Sequence, residues 1–346
     1  MSTPTSTGTT TRPTTAPAAR STERVTLGKA LNLGLRRALE GDPTVLLMGE
    51  DIGRLGGVFR VTDGLQKDFG PDRVVDTPLA ESGIVGTAIG LALRGYRPVC
   101  EIQFDGFVFP AFDQITTMLA KMHYRSRGRL SLPVVIRIPY GGGIGAVEHH
   151  SESPEVLFAH TAGLRVVTPA TPGDAYTMMQ EAIASPDPVI FLEPKARYWD
   201  KAEVDLGRTT GDGLDRARVV RRGTDVTLVA HGPAVTTALR AAEAAAQDGT
   251  SIEVVDLRTI SPLDTATVAD SVRRTGRCVV VHEAPTLYGT GSEVAARIGE
   301  ACFYHLEAPV LRVGGFHTPY PVSRLEHDYL PSVERVLEAV DRSLAH

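Results

Sequence analysis

The sequence predicts an α/β protein of two domains, each a mainly parallel sheet flanked by helices. Three observations predict it. At 346 residues the chain is longer than one typical domain. Short apolar runs of strand length alternate with longer stretches of helical spacing, the pattern of a parallel sheet covered on both faces. The alternation is interrupted once, by a polar stretch without periodicity over 200–218, and then restarts.

The elements follow in order. Residues 26–39 carry apolar side chains at helical spacing, and Val45-Leu46-Leu47-Met48-Gly49 reads as a buried strand ending in a turn residue. Arg73-Val74-Val75 reads as a short strand, and 84–93, rich in small residues, as a helix. A strand over 97–102, a helix over 112–124 and a strand over 133–138 continue the series. After the polar stretch come a strand at 225–230, an Ala-rich helix at 234–247, and strands at 252–257 and 278–282. The expected division is a disordered tail at 1–24, a first domain at 25–200, a linker at 201–214 and a second domain at 215–346.

Composition narrows the function. Apolar residues make up 42% and charged residues 22%, as in ordinary globular proteins. A net charge of −5 gives no electrostatic reason for nucleic acid or an anionic membrane surface as partner. No apolar run approaches the roughly 18 residues a membrane span needs. Cys100, Cys278 and Cys302 are odd in number and widely spaced, which suggests neither a disulfide framework nor a zinc site and fits a reducing compartment. The Thr/Ser/Pro/Ala-rich start contains Arg12, Arg20 and Arg24, but it lacks the amphipathic periodicity of a transit peptide. Arg far outnumbers Lys, a bias of GC-rich bacterial genomes, and the expected location is the bacterial cytoplasm.

Three runs carry chemistry-bearing residues. In Asp76-Thr77-Pro78-Leu79-Ala80-Glu81-Ser82-Gly83-Ile84-Val85-Gly86 a carboxylate stands between a strand and a Gly/Ala-rich helix. Taken alone, Glu81 is a helix-start carboxylate of the kind that complements the helix dipole. In Pro139-Tyr140-Gly141-Gly142-Gly143-Ile144-Gly145, continuing to Glu148-His149-His150-Ser151-Glu152-Ser153-Pro154-Glu155, a glycine-dense loop follows a strand and ends in two histidines. Adjacent residues point apart, so one of the two faces a given site and a metal pair is disfavoured. In Glu101-Ile102-Gln103-Phe104-Asp105-Gly106-Phe107-Val108-Phe109-Pro110-Ala111-Phe112 four aromatics follow a strand end, where ligands of parallel sheets bind, although each alone reads equally as a core anchor.

In this order the runs resemble the β subunit of the thiamine-diphosphate-dependent decarboxylating component of 2-oxo acid dehydrogenase complexes. The branched-chain type is most similar and the pyruvate type next. The resemblance extends from about residue 26 to the C-terminus. It includes Phe158-Ala159-His160, Phe191-Leu192-Glu193-Pro194-Lys195, Val254-Val255-Asp256-Leu257-Arg258-Thr259-Ile260-Ser261-Pro262, His282-Glu283-Ala284-Pro285 and Leu306-Glu307-Ala308-Pro309. It implies a transketolase-like pyrimidine-binding domain followed by a transketolase C-terminal-like domain that serves assembly.

The resemblance also implies roles. Glu81 would bond N1′ of the cofactor's aminopyrimidine, with Phe107 packing on that ring and Leu79 and Gln103 matching further pocket positions. His150, rather than His149, would assist transfer of the acyl unit to a lipoyl group on the acyltransferase component. A carboxyl against N1′ promotes loss of the thiazolium proton within the cofactor, and burial helps such a group share a proton. Thiamine enzymes hold diphosphate and Mg²⁺ with Gly-Asp-Gly followed further on by Asn. Gly211-Asp212-Gly213 is present, but the chain's one asparagine is Asn32, which makes that run a linker turn. Diphosphate and Mg²⁺ would then be held by an α subunit in a heterotetramer of two α and two β chains, the isolated β chain being inactive. A structural K⁺ would fall on Val134, Ala182, Ile183, Ser185 and Asp187, where Ser185 and Asp187 depart from the family's Asp and Asn. His317 likewise stands where the family has Asp, and His282-Glu283 read as structural or interfacial.

Two further readings stay open at this point. One is a non-catalytic assembly scaffold, against which Glu81 and His150 argue. The other is a free-standing transketolase-type enzyme, against which the missing diphosphate motif argues.

Overall fold

The computed structural model describes residues 22–346. The first half begins with β1 (Thr22–Thr26), α1 (Leu27–Gly41), β2 (Val45–Gly49), α2 (Leu65–Phe69), β3 (Val74–Asp76), α3 (Glu81–Leu93) and β4 (Arg97–Glu101). It continues with α4 (Met122–Arg125), β5 (Val135–Tyr140), α5 (Glu155–Ala159), β6 (Arg165–Val167), α6 (Pro172–Ala184), β7 (Val189–Pro194) and β8 (Lys201–Asp205). The second half holds β9 (Arg218–Arg221), β10 (Val226–Ala230), α7 (Ala234–Gln247), β11 (Ile252–Asp256), β12 (Thr259–Ser261) and α8 (Thr265–Thr275). It closes with β13 (Cys278–Pro285), α9 (Thr290–Cys302), β14 (Leu311–Gly315), α10 (Glu326–Tyr329) and α11 (Val333–Leu344).

Two mainly parallel sheets result, as the alternation predicts. The first has seven strands in the order β12-β6-β7-β5-β4-β2-β3, parallel throughout except for β12. The second has five, β14-β13-β10-β11-β9, with only β9 antiparallel. Strands such as β2, β7 and β11 are buried at every residue, which explains their mainly apolar character, although Glu193, Glu253 and Asp256 are buried with them.

Each sheet is covered on both faces. Helices α1 and α6 pack on one face of the first sheet, and a Cβ on Gly34 would meet the Tyr176 carbonyl at 3.0 Å and the Met179 Cβ at 3.2 Å. The close approach of these helices therefore requires glycine there. Helix α1 starts on Thr26, whose side chain accepts from the Lys29 amide at 3.1 Å. Helix α3 and the segment after β4 cover the other face. In mid-sheet, fully buried Arg137 on β5 reaches Glu193 on β7 at 2.7 Å and Glu101 on β4 at 2.6 Å. All three cysteines are free and buried, and burial pushes the Cys100 and Cys278 thiols up to about 12.

Three expectations need correction. Residues 22–24, assigned to the tail, and 201–205, assigned to the linker, pair as an antiparallel ribbon from Thr22↔Asp205 to Thr26↔Lys201. The ribbon buries only Val25 and Val204 fully, too little apolar signal to read in the sequence. The tail expectation for 1–21 lies outside the described residues. In place of one helix over 112–124 there is a π-helical segment at Gln114–Leu119 and then α4, and a 3₁₀ segment at Asp105–Ala111 leads into them. Pro110 lies within the 3₁₀ segment, while the Thr116 and Thr117 hydroxyls bond carbonyls four residues back and compete with a regular ladder. Lastly, β12 follows β11 of the second sheet yet pairs with β6 of the first, so the halves are stitched together.

The seam between the halves is polar. Asp174 on α6 accepts two bonds from Arg218 at 2.9 and 2.8 Å and one from buried Arg258 at 3.1 Å. Deeper in the seam lie Glu155, His231 and His282, all fully or nearly fully buried.

Candidate active site

The predicted residues converge on one edge of the first sheet. Strands β3, β4 and β5 run parallel through β2, so their carboxyl ends share that edge. Leu79 and Glu81 follow β3, Gln103 and Phe107 follow β4, and the glycine loop carrying His149 and His150 follows β5. Helix α3 packs on the 3₁₀ segment Asp105–Ala111, which packs on the 3₁₀ turn Glu148–His150. Glu81, Phe107 and His150 therefore stand on three adjoining elements at the edge where ligands of parallel α/β sheets bind.

Glu81 is the first residue of α3. Its cap, Ala80, has no side chain able to bond the free amides, which leaves a carboxylate favoured at that position. Glu81 is half-buried within this chain, less enclosed than a proton-sharing carboxyl requires, and neighbouring Leu79 is 69% exposed. The α3 face beyond them is exposed at Ser82, Gly83, Gly86, Thr87 and Gly90. Next to this group stands Glu50, at the end of β2. Its carboxyl is held above the ordinary carboxylate range by burial and by the nearby charges of Asp51 and Glu81. Sequence reading passed over Glu50, although Gly49-Glu50-Asp51 at a strand end is the same signal that marks the other runs.

The histidine loop is built more tightly. The His150 ring stacks on Phe104 at 4.0 Å and 15°, and meets Phe107 edge-on at 5.2 Å and 81°. His149 is exposed and His150 half-buried, yet the His149 ring also meets Phe107, at 5.4 Å, so the two rings do not point apart as their adjacency suggests. The His150 Nδ1 is buried without a partner. Beneath Phe104, Lys195 at the end of β7 donates to Asp105 at 2.5 Å, both side chains at most 1% exposed. Asp105 accepts the Glu152 amide through its other oxygen at 2.9 Å. Desolvation dominates at both groups, raising the Asp105 carboxyl and lowering the Lys195 amine, while each partner opposes that shift.

The glycine loop is also held from the second half. Gly142 N donates to Glu283 at 3.1 Å, and Gly143 N and Gly145 N donate to the two oxygens of Glu326 at 2.9 and 3.0 Å. Glu283 thus has the structural place expected of it, with its carboxyl pushed up to about 7 chiefly by burial. His282 stacks on His231 at 6.2 Å and 8°. Burial holds these imidazoles down at about 4 and about 3, and the buried Glu155 carboxyl, 3.8 Å from His231, up at about 8. Asp105, Lys195 and Glu326 were not singled out in the sequence, because each acquires its role from a partner far along the chain.

The residues proposed for K⁺ do not fit a cation. Arg97 donates to the Ile183 carbonyl at 2.8 Å and to the Ser185 carbonyl at 3.2 Å, both through one guanidinium nitrogen. The Val134 carbonyl accepts Val189 N at 2.9 Å, and the Ala182 carbonyl accepts Ser185 N at 3.2 Å. Asp187 pairs with Arg165 at 3.3 Å. A cation shared by these oxygens would sit against a guanidinium. Nor does Gly211-Asp212-Gly213 fit a diphosphate: both glycine amides donate to Glu181, and Asp212 pairs with Arg218 at 2.7 Å. Among the described residues there is no cluster of three side chains able to ligate a metal.

Comparison with known proteins sets this geometry in context. Residues 23–200 match the family described as transketolase, pyrimidine binding domain, and 215–336 match transketolase, C-terminal domain. The chain is 66% identical to a pyruvate dehydrogenase E1 component subunit beta of Leifsonia xyli, covering 92% of this chain and 94% of that one. It is 55% identical to a 3-methyl-2-oxobutanoate dehydrogenase subunit beta of Mycobacterium tuberculosis, with 93% of each covered. Among solved structures, a split gene transketolase described as an inactive beta4 tetramer superposes with a TM-score of 0.76 over 93% of this chain and 98% of that one. Its 23% identity makes this a likeness of fold.

Proposed function

This chain belongs to the β subunits of the decarboxylating component of 2-oxo acid dehydrogenases, and we propose that it supplies the pyrimidine-binding half of a thiamine diphosphate site shared with an α subunit. The observation that carries the reading is the convergence of Glu81, Phe107 and His150 on adjoining elements at the carboxyl edge of the first sheet. When bound, the cofactor supplies the decarboxylation chemistry; the residues of this chain bind, orient and move protons.

Glu81 holds a proton at N1′ of the aminopyrimidine, which sets the tautomer the chemistry needs. Phe107 packs on that ring, while Leu79 and Gln103 complete the wall. The exposure of Leu79 and the α3 face is accounted for by an α chain closing over them, which would also bury Glu81. His150, braced by two phenylalanines, donates a proton as the acyl unit passes to a lipoyl group of the acyltransferase component. Mg²⁺ and diphosphate belong to the α chain in a heterotetramer of two α and two β chains, placed in the bacterial cytoplasm.

The substrate is read as a branched-chain 2-oxo acid, on the resemblance carried by Gln103-Phe104, Phe109-Pro110-Ala111-Phe112 and Leu306-Glu307-Ala308-Pro309. The 66% identity to a chain named for pyruvate favours pyruvate as second reading. Initial rates of the co-expressed α and β chains with pyruvate and the three branched-chain 2-oxo acids decide between them. In the same assembly, Glu81→Ala should lower decarboxylation by about 10²-fold or more. Near-normal turnover there rejects the proposed mechanism.

A further inference from the structure

We infer that Glu326, in the second half of the chain, is a positioning residue for the acyl-transfer step, acting by clasping the loop that carries His150. The inference rests on the reading of His150 given above.

The loop from Gly141 to Glu152 has few contacts of its own with which to hold a shape. It contains four glycines, and Gly141, Gly143 and Gly145 adopt positive φ of 80°, 87° and 69°. That backbone is open to glycine and disfavoured for nearly every other residue, so its order must come from outside the loop. The structure supplies three anchors. At the neck, Gly141 N donates to the Glu152 carbonyl at 2.9 Å, closing the loop on itself. At the histidine end, the Glu152 amide is held by Asp105 and, through it, by Lys195. Along the glycine stretch the anchors are carboxylates of the other half: Glu283 on Gly142, and both oxygens of Glu326 on Gly143 and Gly145.

Glu326 is well suited to this. It is 9% exposed, and its Oε1 also accepts the Tyr320 hydroxyl at 2.8 Å. Two amides and a phenol converge on one carboxylate, an arrangement that holds the acceptor in one place. The fit has no slack. A Cβ on Gly145 would lie 2.9 Å from Ser323 Oγ, and one on Gly142 would lie 1.8 Å from the Tyr320 hydroxyl. Segment 320–326 therefore forms a complementary seat for the loop. The histidine at the far end rests on Phe104 without a bond to Nδ1, so its placement depends on where the backbone puts it. A loop shift of about 1 Å is enough to cost on the order of 10²-fold in a positioned reaction step.

The test uses the assembled enzyme with its α partner and separates two partial reactions. Decarboxylation is followed with an artificial electron-accepting dye, and acyl transfer with the isolated lipoyl domain of the acyltransferase. In Glu326→Gln, which keeps size but loses the charge, acyl transfer should fall about tenfold or more while dye-coupled decarboxylation stays within about twofold. The loss should largely vanish when the substitution is made in a His150→Ala background, because the clasp then has nothing to position. Equal loss of both partial reactions overturns the inference, as does normal acyl transfer in Glu326→Gln when His150→Ala alone impairs it. If His150→Ala leaves acyl transfer intact, the reading of His150 itself falls. Should Glu326→Gln not fold, Tyr320→Phe removes one bond from the same carboxylate and should show a smaller loss in the same step; no selective loss there overturns the inference equally.

Discussion

Replacing Lys195 with Met tests the foundation of the histidine loop. Lys195 and Asp105 are at most 1% exposed and 2.5 Å apart, so the substitution leaves a buried carboxylate with only the Glu152 amide to hold it. Breaking a buried pair by removing one partner costs about 3–5 kcal/mol, most of it the penalty of the uncompensated charge. For a chain of this size that corresponds to a fall in melting temperature on the order of 4–7 °C. The sign with pH follows from Asp105. Its carboxyl is already raised by burial, and loss of the opposing cation raises it further. A raised carboxyl stabilises the fold when protonated, below its unfolded pKa, and that contribution is lost as pH rises through its folded pKa. The deficit of Lys195→Met against the unaltered protein should therefore grow as pH rises above the ordinary carboxylate range. Adding Asp105→Asn removes the orphan charge and should recover much of the loss. Paired melts of the single and double variants across that rise in pH decide it. A single variant as stable as the unaltered chain, or a double variant no better than the single, refutes the reasoning.

Three other outcomes are expected. Arg97→Ala leaves the Ile183 and Ser185 carbonyls without their donor, costing about 1–3 kcal/mol, and vacates a space that K⁺ can enter. The variant's melting temperature should rise with KCl relative to equal choline chloride, whereas that of the unaltered chain should not. Glu155, held at about 8 against an ordinary 4.5, adds stability present below about pH 4.5 and lost as pH rises through 8. Glu155→Gln should thus gain on the unaltered chain by up to about 1.4 kcal/mol per pH unit across that interval, measured by denaturant melts, and parallel stability curves would disprove it. Gly142→Ala drives a methyl into the Tyr320 hydroxyl and should cost about 1–3 kcal/mol, measured in the same way.

What was legible in the sequence had a local cause. Val45–Gly49, Ala234–Gln247 and Ile252–Asp256 are apolar runs or amphipathic stretches whose period is set by the surface each must bury, and their expected bounds differ from the structure by a residue at most. Glu81, Gln103, Phe107 and His150 were legible as candidates because each follows a strand end, and the parallel sheet then brings those ends to one edge. The irregular turns of 105–119 were not legible, since hydroxyl back-bonding competes with the ladder only once the chain is folded there. Nor were the Lys195–Asp105 pair, the Arg97 bonds or the Glu326 clasp. These join residues 86 to 183 positions apart, and nothing near any one of them in sequence announces the other.

The short strand β12 has a practical consequence. It reaches the first sheet from beyond the linker and covers the outer side of β6. A fragment cut at residue 200 would contain every candidate catalytic side chain and still lack that cover. Its β6 would present a row of open amides and carbonyls over buried valines, a template for strand addition by other molecules. Such a truncation should collect as insoluble aggregates, and extending it through Pro262 seals β6 only by opening the buried edge of β10 that β13 covers. Hydrogen bonding at two sheet margins thus leaves no clean place to divide this protein, and the polar gap in its sequence is a misleading guide to one.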